Sequence, residues 1–171
     1  TVSDMNDAEE FTIMVDSMRA VGMSNTEVEK ILLVVAGLLH LSNVKFIDSD
    51  KSTVDASSRN ALAEAAALFG LTTKALEYAL LHRIREVPGQ KAVVQSNSGT
   101  EATHLRDALA KKIYSNLFDK IVAIINNTLD VDPSPNPCVI GILDIFGFED
   151  MAVNGFEQLF INTTNELLQK V

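Results

Sequence analysis

The sequence predicts a mainly α chain with a few β strands, and three stretches carry that prediction. From Leu105, apolar residues recur at Leu109, Ile113, Leu117, Ile121 and Ile124 or Ile125, a helical stripe reaching about Thr128. Residues 31–41 are nearly all apolar and follow a Ser24/Glu27 capping-box pattern, which marks a helix buried in a core rather than a membrane span. Cys138 to Leu143 is a short apolar run between Pro137 and Asp144, as expected of a strand buried on both faces of a mixed or parallel sheet.

Bulk composition narrows the classes. With 171 residues, 47% of them hydrophobic, the chain can bury a sizeable core, and one domain or one large subdomain is the natural count. Fourteen Lys and Arg stand against 23 Asp and Glu, a net charge of -9, which argues against sequence-independent binding to nucleic acid or an anionic membrane as the main activity. The single cysteine, Cys138, forms no internal disulfide, and it reads as an inert core thiol in a reducing compartment. No stretch approaches the roughly twenty apolar residues of a membrane span, and the N-terminus has no signal-peptide pattern. Starting at Thr1 and stopping at Val171 in an uncapped helical pattern, the chain reads as a piece of a longer protein.

The elements follow in order. Asp7 to Ala20 places Phe11, Met14, Val15 and Met18 at helical spacing behind an acidic first turn. The second helix runs to about Leu41, with His40 as a packed or capping residue. Val44 to Ile47 suits a short strand, and Asp48 to Ser58 a polar surface loop. A third helix spans about Ala56 to Phe69 and stops at Gly70, suited to a left-handed C-cap; Thr72 caps a fourth, to about His82. Arg83 and Arg85, then Pro88-Gly89, then Ala92-Val93-Val94 outline a protruding hairpin with a basic base within about 83–98. The long helix, about 100–128, begins at Ser98 or Thr100 and makes a strut of roughly 40 Å. Three prolines in Asn126–Pro137 mark a surface connection. The last helix starts near Gly155, with Phe156, Leu159, Phe160, Thr163 and Leu167 along one face. The chain thus divides into a helical part, 1–137, and a strand, loop and helix, 138–171.

The chemistry gathers after the apolar run. An aspartate at the end of a buried strand, then a glycine-containing loop and a helix, is the layout with which P-loop hydrolases hold magnesium through water and sense a terminal phosphate. Asp144 and Gly147 occupy those places. Without a Cβ, Gly147 can bring its amide close to a phosphate oxygen and can swing through φ values closed to other residues. The alternative from spacing alone is an aspartate that ends a core strand beside a glycine turn.

The wording is more specific than the layout. Asp144-Ile145-Phe146-Gly147-Phe148-Glu149, Asn154 and Phe156 to Gln169 closely resemble the switch II loop and the start of the relay helix of myosin motor domains. Arg106 to Asp119 resembles the long helix before switch II in the same family. Val21-Gly22-Met23-Ser24, Leu39-His40-Leu41-Ser42-Asn43, Leu68 to Leu71 and Leu76 to Leu80 resemble words of its upper fifty-kilodalton subdomain, with Ser42 where glycine is usual. The resemblance implies a partial P-loop NTPase-type motor fold, its buried strand leading into switch II. It also implies catalytic roles for Gly147, whose N–H meets the γ-phosphate, and for Glu149, which pairs with a switch I arginine. Asp144 and Gly147 would contact the nucleotide site, with Asp144 holding magnesium through water.

By the same resemblance the 83–98 loop touches actin, with Arg83, Arg85 and Lys91 as contacts; a plain solvated charge cluster is the alternative. Lys91 stands where the family often carries an acidic or phosphorylatable residue, which argues against phosphorylation control there and for a divergent or protist-type class. Phe160 and Thr163 stand where cysteine and tyrosine are common, so packing under the relay helix should differ.

The implied parent is an actin-activated ATPase that uses ATP with Mg2+, is cytoplasmic and cytoskeleton-associated, and binds light chains or calmodulin through a neck not present here. Residues 1–171 contain no Gly-x-x-x-x-Gly-Lys-Ser/Thr loop and no switch I word, so the segment alone is expected to be inactive and to bind no ATP. Two readings from other classes stand beside this one: a non-motor P-loop hydrolase, and a catalytically inactive helical interaction module derived from a motor.

Overall fold

The computed structural model describes residues 6–48, 52–85, 92–129 and 140–170. They fall into two units, Thr1–Asp130 and Val131–Val171.

The first unit is helical with two small sheets. Helix α1 (Asp7–Ala20) ends at Gly22, whose φ of +87° admits the paired bonds Gly22 N–H to Arg19 O (2.9 Å) and Met23 N–H to Met18 O (3.1 Å). Helix α2 (Asn25–Ser42) starts with a complete capping box: Ser24 Oγ accepts from Glu27 N–H, and Glu27 Oε2 accepts from Ser24 N–H at 2.9 Å. Strands β1 (Phe46–Ile47) and β2 (Thr53–Val54) pair antiparallel, Phe46 opposite Val54. A 3-10 turn at Ala56–Ser58 then leads into α3 (Arg59–Leu68). Gly70, at φ +70°, closes α3 with Gly70 N–H to Ala67 O (3.0 Å) and Leu71 N–H to Ala66 O (2.8 Å). Thr72 caps α4 (Thr73–Leu81), which runs directly into β3 (His82–Arg85); β4 (Val93–Ser96) returns antiparallel with Arg85 opposite Val93.

Helix α5 (Gly99–Leu129) has 31 residues and, at about 1.5 Å each, runs about 45 Å. One core forms where Leu41, Val44, Val54, Leu62, Ala65, Leu76 and Leu80 meet, and Ala102, Leu109 and Ala110 of α5 pack on it. A second forms around Met23, Val28 and Ile31, covered by Leu117, Ile121, Ile124 and Ile125. A single helix thus seals both cores, which is what its apolar stripe is for.

Several expectations need correction. The buried strand is absent over Ile140–Leu143, the part of 138–143 that is described: those residues pair with no strand, and Ile140 and Ile142 are 88% and 94% exposed. A strand buried on both faces needs partner strands on its edges, and the described strands pair only as β1 with β2 and β3 with β4. The polar stretch 48–58 is not all surface, because Ser52, Val54 and Ser58 are buried and Ser58 Oγ accepts from Lys45 N–H at 2.9 Å. On α1 only Val15 and Met18 pack inward, leaving Phe11 and Met14 exposed, and Leu105 lies off the buried stripe of α5. Helix α2 buries Val28, Ile31, Gly37 and Leu41, while Leu33 and Leu39 of the apolar run are exposed. Cys138, the hairpin turn at Pro88-Gly89, Lys91 and most of the proline-rich connection lie outside the described residues.

Candidate functional site

The second unit is a loop, residues 140–155, folded against helix α6 (Phe156–Leu168). Gly155 is the N-cap in extended conformation; it has no side chain to cap with, so the helix start relies on Gln158, whose Oε1 accepts from Gly155 N–H at 2.8 Å. Glu157 adds a carboxylate to the positive end of the helix dipole. Just before it, Asn154 closes a local turn: its Oδ1 accepts from Met151 N–H at 3.0 Å and its Nδ2 donates to Met151 O at 2.9 Å.

The surprise lies in which face of α6 the loop uses. Phe156, Leu159, Phe160, Thr163 and Leu167, the stripe expected to pack, are exposed, with Phe156 and Phe160 meeting edge to face at 4.6 Å between centroids. The half-buried face is Gln158, Ile161, Asn162 and Asn165. Loop backbone must be hydrogen-bonded, and amide side chains can do that where Leu and Phe cannot.

Of Asp144, Gly147 and Glu149, the expected site residues in this unit, Glu149 is the one α6 holds. Its N–H donates to Asn162 Oδ1 at 2.7 Å, its carbonyl accepts from Asn162 Nδ2 at 2.8 Å, and its Oε2 accepts from Gln158 Nε2 at 3.3 Å. Gly147 is exposed, its φ lies outside the left-handed region, and a Cβ built on it meets nothing within 4 Å. Neither backbone nor packing requires glycine there in this conformation. Asp144 is also exposed. Among the described residues no three His, Cys, Asp or Glu side chains converge on a metal position. Magnesium asks for no such cage, since it keeps several waters and takes one or two carboxylates plus substrate phosphates, and a solvent-facing Asp144 suits that donor set. A groove of about 680 Å³ runs between Phe148–Asp150 and the first two turns of α6, whose side of it is lined by Phe156, Gln158, Leu159 and Asn162.

In the first unit, the basic residues of the hairpin are not equivalent. Arg83 Nη1 donates to Glu101 Oε1 at 2.6 Å, and its Nε to Gln95 Oε1 at 3.4 Å, so this guanidinium ties the hairpin to the first turn of α5. Ser98 is the N-cap, its Oγ accepting from Glu101 N–H at 3.1 Å while Glu101 Oε2 accepts from Ser98 N–H at 2.9 Å. The Ser98 amide, joined by the Arg83 guanidinium, holds the Glu101 carboxyl below its ordinary value of 4.5. Asp48 Oδ1 accepts from Gly99 N–H, an approach so close that a Cβ on Gly99 would sit 3.0 Å from that oxygen. Asn97, buried, donates from Nδ2 to Leu80 O at 2.9 Å. Arg85, at the far end of β3, is exposed.

A sequence model of the Myosin head (motor domain) family matches residues 1–171, the whole chain. The chain belongs to the myosin head family. It is 42% identical to Myosin-17 of Arabidopsis thaliana over 97% of its length, 40% to Unconventional myosin-Ia of Mus musculus over 99%, and 36% to Myosin IB heavy chain of Dictyostelium discoideum over 99%. It spans 11%, 17% and 16% of those proteins, so it is similar to a small part of each. This myosin head segment is mainly helical, and no helix among its described residues is long and apolar enough to cross a membrane.

Sequence reasoning missed several residues that organise this myosin head segment. Gln158 and Asn162 are four apart on α6 and share a face, a legible spacing eclipsed by the more conspicuous apolar stripe. Arg106, read only as part of a family word, donates to Val44 O across the first unit and pairs with Asp107 at 2.6 Å. No local pattern announces a contact between residues 62 positions apart.

Proposed function

We propose that residues 1–171 are the upper subdomain, switch II and relay-helix start of an actin-based motor that couples ATP hydrolysis to movement along filaments. The observation that carries this reading is the whole-chain match to the motor-domain family, joined to a loop that presents Asp144, Gly147 and Glu149 in sequence order ahead of α6. Residues 1–137 form the helical actin-side part and 138–171 the switch part.

In this reading the Gly147 amide donates to a γ-phosphate oxygen, a dipole aimed where charge gathers. Asp144 accepts from water bound to the nucleotide's magnesium, which would neutralise phosphate charge. Glu149, its backbone pinned by Asn162, offers its carboxylate to a cationic partner elsewhere in the motor. Arg85 and Lys91 contact the acidic filament, assisted by Coulomb attraction, while Arg83 sets the hairpin on α5. ATP, Mg2+, filamentous actin and a light chain or calmodulin are partners of the parent, which works in the cytoplasm on the cytoskeleton. The segment by itself binds no ATP, because no phosphate-cradling loop lies in residues 1–171.

The test is ATP turnover by the parent heavy chain with and without filamentous actin, in wild type, Glu149→Ala and Gly147→Ala. Actin-stimulated turnover that falls on the order of a hundredfold or more in both variants supports the reading. Turnover indifferent to actin would favour a different P-loop hydrolase; nucleotide binding without turnover would favour a non-catalytic relative.

A further inference from the structure

We infer that Asn154 is a site of spontaneous deamidation, with the Gly155 backbone nitrogen as nucleophile and the Gln158 side chain as the restraint that sets its rate. The chemistry needs only water and is independent of the function proposed above.

Asn154 is the only asparagine in residues 1–171 that glycine follows. The order matters because the reaction closes a succinimide ring: the nitrogen of the next residue attacks the asparagine side-chain carbon, and a Cβ beside that nitrogen would crowd the approach. Both residues are exposed, and both precede the first residue of α6. A helix leaves its leading N–H groups without an intrahelical acceptor. Gly155 N–H donates instead to Gln158 Oε1 at 2.8 Å, so a side chain holds the nucleophile rather than a backbone carbonyl.

The electrophile is prepared for attack. Asn154 Oδ1 accepts from Met151 N–H at 3.0 Å, so the negative charge that gathers on this oxygen in the tetrahedral intermediate meets a donor already in place. The leaving nitrogen, Nδ2, donates to Met151 O at 2.9 Å and lies 3.5 Å from Asp150 Oδ1, which favours positive charge on it.

Solvent hydroxide takes the Gly155 amide proton, and the freed electron pair forms the bond from nitrogen to Cγ. Collapse of the intermediate breaks Cγ–Nδ2, and Nδ2 leaves as ammonia with a proton from water. One water then opens the ring at either carbonyl, giving aspartate or an isoaspartate whose main chain runs through Cβ. The sum is amide plus water to acid plus ammonia, with nothing oxidised or reduced. Isoaspartate lengthens the backbone by one carbon directly ahead of the α6 N-cap. Either carboxylate also lacks the donor that Nδ2 gives to Met151 O. The proton must leave Gly155 before attack, so the bond to Gln158 opens first; one such bond is worth about two- to tenfold in rate.

The experiment incubates the full-length parent heavy chain at mildly alkaline pH, natively and in denaturant. Digestion and mass spectrometry, with aspartate and isoaspartate peptides separated, follow wild type, Gln158→Ala, Gln158→Glu and Gly155→Ala. In native wild type, acid accumulates at Asn154 faster than at Asn97, which is buried and precedes Ser98, and isoaspartate is the larger product. Native Gln158→Ala reacts about two- to tenfold faster than wild type, and the two are equal in denaturant. Gln158→Glu keeps an acceptor oxygen for the Gly155 amide and reacts as wild type does. Gly155→Ala is slower by roughly tenfold or more in both conditions, because its Cβ hinders the near-attack geometry. Native wild type that keeps Asn154 intact while the denatured chain loses it overturns the site. Acid without isoaspartate overturns the ring mechanism, and a native Gln158→Ala rate equal to that of wild type overturns the restraint. Should Gln158→Ala not fold, native against denatured wild type decides: the native rate is the slower one if Gln158 restrains the amide, and an equal or faster native rate overturns it.

Discussion

Glu101 shows how much one side chain can be asked to do. It completes the Ser98 capping box, adds negative charge to the first turn of α5 and receives the Arg83 guanidinium. Its folded-state carboxyl is held below the ordinary value of 4.5, first by the Ser98 amide and then by Arg83. A depressed carboxyl contributes stability above its unfolded value and loses it as pH falls through the folded one. The expected outcome is a local stability of the hairpin and α5 start that declines below pH 4.5, with a shallower decline in Glu101→Gln; amide exchange of β3 and β4 as a function of pH measures it. Glu27 and Asp55, each held low chiefly by a serine amide, act in the same direction at the starts of α2 and the 3-10 turn, so the variant should reduce the slope rather than abolish it. The Arg83 partner matters for function as well: a cation already paired at 2.6 Å is a poorer candidate for an outside contact than Arg85.

At the scale of elements, helix ends do more to place the chain than helix interiors. Gly22 and Gly70 both take positive φ and both close their helices with the same pair of backbone bonds, turning α1 into α2 and α3 toward α4. Nothing lies within 4 Å of a Cβ built on Gly70, so substitution there tests backbone strain alone. Gly70→Ala should destabilise the first unit by about 1 kcal/mol and Gly70→Asn by less, since asparagine tolerates the left-handed region better. Denaturant titration of the motor domain carrying each variant reads the difference. Gly37 is glycine for another reason: an added Cβ would lie 2.6 Å from the Phe69 ring, so its absence lets α2 and α3 approach. Helix α6 differs from the rest because its half-buried face carries three amide side chains, Gln158, Asn162 and Asn165, beside Ile161, while Phe156, Leu159, Phe160 and Leu167 are exposed.

Across the whole chain, stability concentrates in the first unit. Leu41, Val44, Leu62, Leu76 and Leu80 are completely or almost completely buried there, whereas no residue of α6 is buried. Leu62→Ala empties the centre of that core and should cost about 2–5 kcal/mol. The measurement is amide exchange across α2, α3 and α4, which should accelerate together because one core holds all three. Large apolar side chains remain exposed along Tyr114, Phe118 and Val122 of α5 and along Phe156, Phe160 and Leu167 of α6. Contiguous apolar rows of that kind, unlike singly scattered surface residues, are what interaction surfaces carry.

What the sequence determined by itself is local: the helix starts at Ser24 and Thr72, the stop at Gly70, the hairpin flanking residues 86–91, the long α5 stripe and the family to which the words belong. Each depends on residues within a few positions of one another, where capping, left-handed glycine and helical spacing act. Only the tertiary structure decided that Asp48 meets the start of α5, that Arg106 reaches the Val44 carbonyl, that Arg83 is held by Glu101, and that the loop settles on the polar face of α6. It also decided against a strand over Ile140–Leu143. The physical reason is common to all of these: a strand needs an edge, a cation a carboxylate and a loop peptide a side-chain amide, and whether the partner arrives depends on the path of the whole chain rather than on the residue that needs it.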